Sequence, residues 1–94
     1  MAIRSFADKT TEAFFETGRC PPQWQRFQRI VARKLDMVDY AVSLTDLNSP
    51  PGNRLEALRG NRKGQHSVRI NGQWRVCFVW TPDGPEDVEI VDYH

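Results

Sequence analysis

The apolar residues Trp24, Phe27, Val31, Leu35 and Val38 recur at steps of three and four. That spacing lines one face of a helix. Arg26, Arg29, Arg33 and Lys34 fall mostly off the stripe, which predicts an amphipathic helix lying on a sheet, with a wet basic side. Pro22 suits the first position of this helix, after an extended entry through Cys20-Pro21. A shorter helix is predicted over 9–17. Asp8 caps its free amides, Glu12 sits where the dipole favours an acid, and Gly18 stops it; Ala13, Phe14 and Phe15 are its apolar content. Ala2–Phe6 reads as an opening strand. Ser43 and Asp46 have the spacing that starts one further turn. The run 48–53, with two prolines and a glycine, is a loop.

From Arg54 the period changes to two. Leu55 and Ala57 alternate with Arg54, Glu56 and Leu58, and Val68 and Ile70 alternate with Ser67 and Arg69. Asn71-Gly72 predicts a hairpin, since both residues tolerate positive φ. Trp74, Val76, Phe78 and Trp80 then form an apolar face, with Arg75, Cys77, Val79 and Thr81 opposite. A second turn is predicted at Pro82–Pro85, and Val88 and Ile90 belong to the last strand. The order is β-α-α followed by three or four mostly antiparallel strands. Early, consecutive helices cover one face of one sheet, an α+β layer. The Trp74/Val76/Phe78/Trp80 face belongs under the second helix. Parity puts Arg75 and Glu56 on the other face, which no remaining element covers.

At 94 residues, the chain is expected to form one domain spanning 1–94, burying roughly 60–65% of its unfolded surface. With 39% hydrophobic and 27% charged residues, it is neither a disordered tail nor a coiled coil. No apolar run approaches a membrane span, and no export signal opens the chain, so a cytoplasmic protein without a membrane partner is expected. Cys20 and Cys77 are expected as free thiols. Together with His66 and His94 they lack paired zinc-site spacings, so neither metal nor cofactor is expected.

The net charge of +1 is uninformative, but its distribution is not. Arg54, Arg59, Arg62, Lys63, Arg69 and Arg75 face a single acid, Glu56, between 54 and 75, while Asp83, Glu86, Asp87, Glu89 and Asp92 follow with no base. The basic stretch is either a phosphate-binding patch or a solvated strand surface. Gly60–Gly64 is a basic, glycine-bounded turn without Walker spacing. The end, Asp92-Tyr93-His94, gathers an acid, a phenol and an imidazole. RNA cleavage through the 2′-hydroxyl needs a base, an acid and cations for the developing charge. His94, Asp92 or Glu56, and Arg75 supply those types; the alternative is a terminal histidine that frays.

The segments 53–60 (NRLEALRG), 64–70 (GQHSVRI), 73–78 (QWRVCF) and 91–94 (VDYH) resemble the HigB-type toxins of bacterial toxin–antitoxin systems, in the RelE/ParE superfamily. The likeness runs in order through essentially the whole chain. It implies a small RelE-like fold, with an N-terminal strand and two helices on one face of a mostly antiparallel curved sheet. It also implies a ribosome-dependent mRNA endoribonuclease that inhibits translation, works on the ribosome and its mRNA, and is neutralised by a cognate helix-turn-helix antitoxin. The family's arginine after tryptophan maps onto Arg75, its terminal triplet onto Asp92, Tyr93 and His94, and a basic residue before the loop glycine onto Arg59. A position that carries histidine in some members is Glu56 here, which leaves the division of acid and base work open. Arg54, Arg59, Arg62 and Lys63 would dock ribosomal RNA through phosphates. The competing readings are a ParE-like topoisomerase inhibitor without nuclease chemistry, which the same fold supports, and a non-catalytic RNA-binding domain.

Overall fold

The computed structural model describes residues 2–92. Two helices, α1 (Lys9–Thr17) and α2 (Gln28–Tyr40), precede four strands: β1 (Glu56–Ala57), β2 (His66–Arg69), β3 (Trp74–Thr81) and β4 (Gly84–Asp92). The strands form one antiparallel sheet in the order β1-β2-β3-β4, and both helices cover one face of it. No helix among the described residues is long and apolar enough to cross a membrane.

α1 has the predicted bounds. The Asp8 carboxylate accepts from the Thr11 amide at 2.8 Å, and Gly18 closes the helix at φ 81 with its amide bonded to the Phe14 carbonyl. Only glycine takes that left-handed conformation without steric cost. Buried Thr11 turns its hydroxyl to the Ile90 amide, 3.2 Å away, and so fastens α1 to β4.

The single second helix expected from Pro22 is in fact two pieces. A 3₁₀ helix covers Pro22–Phe27, and α2 begins only after Phe27 leaves helical geometry. The side-chain spacing explains the break. In a 3₁₀ turn residues three apart eclipse, so Trp24 and Phe27 point the same way and both reach Trp74, with ring centroids 6.3 and 6.5 Å away. Val31, Leu35 and Val38 then follow the α-helical period and are fully buried. They meet Val68, Val76, Phe78, Val88 and Ile90 from the sheet, with Phe14 and Trp24 closing one end of the core.

The opening strand is also different. Residues 2–6 run parallel beside β4 but form only an isolated bridge, Phe6 with Val88. Pro85 has no amide proton to give, and the Asp87 amide turns to the Ser5 hydroxyl instead of a carbonyl. The ladder therefore cannot propagate. Asp87, at φ 53, is the extra residue of a bulge between Cys77↔Glu89 and Val79↔Glu86. The bulge keeps Val88 and Ile90 on the core face.

The 71–72 hairpin sits where the sequence placed it but is built otherwise. Neither Asn71 nor Gly72 has positive φ. The Asn71 side-chain oxygen accepts from the Gln73 and Trp74 amides at 2.8 and 2.9 Å, and the Trp74 carbonyl accepts from Ile70 and Asn71. The side chain imitates a backbone turn. The predicted turn after Ser43 forms over Leu44–Asn48. Asp46 accepts the Val42 and Ser43 amides at 2.9 and 3.1 Å, and these bonds hold its carboxyl below the usual value.

Candidate functional site

The tight β2–β3 connection sets Arg69 directly across from Arg75, and Ser67 across from Cys77. Glu56 on β1 then lies across from Ser67, and Glu89 on β4 across from Cys77. Because side chains alternate along strands, these residues share the sheet face turned away from the helices. Parity thus places Arg75 and Glu56 as expected.

That face is not left open. Ser67 and Cys77 are fully buried. Their cover is a layer of charged side chains rather than another element. Arg62, carried by the 3₁₀ turn Gly60–Arg62, donates to Glu89 at 2.9 Å and to the Gln65 side chain at 3.0 Å. Arg62, Glu89 and Arg75 all act electrostatically on Cys77, while burial is the main influence pushing its thiol pKa up. Burial also raises the pKa of half-buried Cys20, the other free cysteine.

Arg75 is half-buried and held. Its Nε donates to the Ser67 hydroxyl at 2.7 Å, and its Nη2 donates to the Arg54 carbonyl at 2.6 Å. Arg54, at φ 45 and ψ 55, is one of two non-glycine residues with positive φ among those described. This conformation turns its carbonyl onto the guanidinium and its side chain outward. Arg54, Arg69 and Arg75 line one pocket of about 320 Å³ with Asn71 and Gly72. Arg69 is steadied by its Nε bond to the Asn71 carbonyl at 3.1 Å. Three arginines lining an open recess favour an anion, and the pre-orientation of Arg69 and Arg75 spares the cost of ordering them at binding. The sequence pattern counts Arg69 in the basic stretch without placing it beside Arg75, and does not mark Asn71 as a site residue. The signal for Arg69 was present, because a hairpin closing at 71–72 sets 69 opposite 75.

Glu56 is exposed, in a neighbouring hollow with Ala57, Leu58 and Arg59. Among the described residues it forms no ion pair. Asp92 ends β4 opposite Trp74, so by the same parity it belongs to the face of Trp74 and not to that of Arg75, and its carboxylate accepts from the Gln73 side chain at 2.9 Å. The last strand is thereby joined to the hairpin that carries Arg75. Tyr93 and His94 lie outside the described residues. The basic patch divides: Arg54 belongs to the Arg75 pocket, Arg59 to the Glu56 hollow, Lys63 is exposed, and Arg62 is engaged with Glu89. His66 stacks on Phe78 on the core face, centroids 6.5 Å apart, away from the arginines. Among the described residues no cluster of three or more His, Cys, Asp or Glu could hold a metal ion.

Comparison with known proteins bears on the family and the fold. Over 78 residues the chain is 42% identical to "Toxin HigB-1" of Vibrio cholerae serotype O1, covering 80% of each chain. It is 26% identical over 92 residues to "Endoribonuclease HigB" of Proteus vulgaris, covering 98% of this chain and 99% of that one. Among solved structures, the YoeB-YefM complex from Staphylococcus aureus matches all of the chain and 99% of its counterpart, with a TM-score of 0.57 at 14% identity, a likeness of fold. A family model described as the RelE-like toxin of the type II toxin–antitoxin system HigB matches residues 4–94. The chain belongs to this family of HigB-like toxins.

Proposed function

We propose that this toxin is a ribosome-dependent endoribonuclease that cuts mRNA by attack of a 2′-hydroxyl on the adjacent phosphorus. The observation that carries the reading is the held Arg75 guanidinium, sharing a pocket with Arg54 and Arg69 on the hairpin that Gln73 joins to Asp92. The name of the Proteus vulgaris relative supports the same chemistry. As the hydroxyl attacks, its proton passes to a base, and the departing 5′-oxygen takes a proton from an acid. Asp92, Tyr93, His94 and Glu56 supply the proton-transfer groups. Arg75 stabilises the charge that grows on the phosphoryl oxygens; preorganised donors of this kind are often the largest single contribution to catalysis. The ribosome presents the mRNA in the required geometry, which turns a poor bimolecular encounter into an oriented one.

Arg54, Arg59 and Lys63 contact RNA phosphates. Arg62 starts from its pair with Glu89 and contributes by closing the sheet face as much as by docking. A cognate helix-turn-helix antitoxin neutralises the toxin; two solved structures of similar fold are toxin–antitoxin complexes.

The test is controlled induction of the chain with mapping of mRNA 5′ ends. In-frame cuts confined to translated messages are expected. Growth arrest with intact messages and broken DNA would replace this reading with topoisomerase inhibition, and intact messages with retained RNA binding would leave a non-catalytic binder.

A further inference from the structure

Lys34 projects from α2 into the interior and is 4% exposed, while Asn53 is fully buried. The lysine ammonium donates to the Asn53 side-chain oxygen at 2.5 Å. The Asn53 amide group donates in turn to the Leu47 and Ser49 carbonyls, at 3.2 and 3.3 Å. One asparagine thus fastens the 44–48 turn, the proline loop and α2 together. Polar groups this deep are costly unless satisfied. Burial first, and Arg33 second, push the Lys34 pKa down, so the chain keeps this lysine at a cost. The segment it secures ends one residue later in Arg54, whose left-handed backbone aims its carbonyl at Arg75. A left-handed non-glycine residue persists only where its surroundings over-determine it.

We propose that the buried Lys34–Asn53 pair is a positioning device for Arg75, fixing the loop that turns the Arg54 carbonyl onto the guanidinium. The role rests on the endoribonuclease reading for its catalytic consequence, but not for its structural one. Lys34 and Asn53 act through the Arg54 backbone and touch no substrate; Ser67 holds the same guanidinium from the other side. Losing the pair frees the loop, and Arg75 then samples orientations in which it no longer meets the phosphoryl group.

Two variants of the full chain test this, read by rotation of the Arg75 guanidinium in nitrogen-15 spectra and by single-turnover cleavage on mRNA-loaded ribosomes. Lys34→Met keeps the bulk and removes the donor; Lys34→Gln keeps a donor without the charge. In Lys34→Met the guanidinium should rotate faster, and the cleavage rate at saturating toxin should fall about 10- to 100-fold, the scale of a small misplacement, with KM little changed. Lys34→Gln should recover both. If Lys34→Met does not fold, Asn53→Asp takes its place, since it keeps the acceptor for Lys34 and loses both donors; the same loosening of Arg75 is expected. A folded variant with a lower melting temperature but unchanged Arg75 rotation would overturn the proposal and leave the pair a structural tie. Wild-type toxin that cuts no mRNA on ribosomes would sink the endoribonuclease reading instead, while the rotation measurement still decides the positioning.

Discussion

The two faces of the sheet are made from the same strands and have opposite ways of excluding water. On the inner face Val68, Val76, Phe78 and Val88 are fully buried under α1 and α2, without a polar partner to satisfy. On the outer face Ser67 and Cys77 are equally buried, but beneath Arg75, Arg62 and Glu89. The inner face is held by area and shape, which are non-directional. The outer face is held by a few directed bonds, and Arg54, Arg69 and Arg75 end there at an open pocket. A layer of this kind both seals the sheet and presents charge, so under the proposed function the same side chains serve stability and chemistry on one face and not on the other.

One substitution on each face separates the two ways of excluding water. Phe78→Ala should cost about 3–5 kcal/mol, much of the stability of a domain this size, and a urea melt should show a greatly weakened fold. Arg75→Ala should cost less in the same melt, about 1–3 kcal/mol for leaving the buried Ser67 hydroxyl without its partner, since water can reach the exposed Arg54 carbonyl. Equal losses would mean that the outer face is a second core.

Arg62→Ala probes the cover itself. The pair with Glu89 is partly exposed, so its loss should lower stability by no more than about 1 kcal/mol. Cys77 should nevertheless become markedly more reactive towards a thiol reagent, with Glu89→Gln giving a weaker effect in the same direction. Unchanged labelling in both would show that Cys77 is sealed by packing alone.

Much of this was legible in the sequence. Asp8 and Gly18 mark both ends of α1 because each satisfies backbone groups a few residues away. The alternation through Trp74–Trp80 assigns the faces because parity is local. What failed was tertiary. The pairing of Arg62 with Glu89 joins residues 27 apart, and no short-range pattern announces it, so sequence alone leaves the outer face uncovered. Lys34 looked like one more residue of a wet basic side, until Asn53, 19 positions on, gave it a buried acceptor. The break at Phe27 was present in the three-residue step from Trp24, but that step fits an α-helix as well. The Asn71-Gly72 signal located its turn correctly while the mechanism differed, an asparagine side chain replacing positive φ.

The smallest expected effect lies outside both faces and serves as a control. The folded Asp46 carboxyl titrates below its ordinary value because the Ser43 and Val42 amides bond its charged form. A carboxyl with a depressed folded pKa stabilises above its unfolded value and loses that contribution as pH falls through the folded one. Wild type should therefore exceed Asp46→Asn in urea midpoint at neutral pH, and the gap should narrow on acidification below the ordinary aspartate pKa near 3.8. A gap independent of pH would mean that charge has no part in the cap.

Under the proposed function the outer face is the reacting face, organised around Arg75. The most direct test is the single-turnover cleavage rate of Arg75→Ala on pre-loaded ribosomes at saturating toxin, at a temperature where circular dichroism shows the variant folded. Loss of a preorganised donor to transition-state charge typically costs about 10²–10³-fold, and a fall in that range is predicted. A folded Arg75→Ala toxin that cuts within a few-fold of wild type would contradict the account.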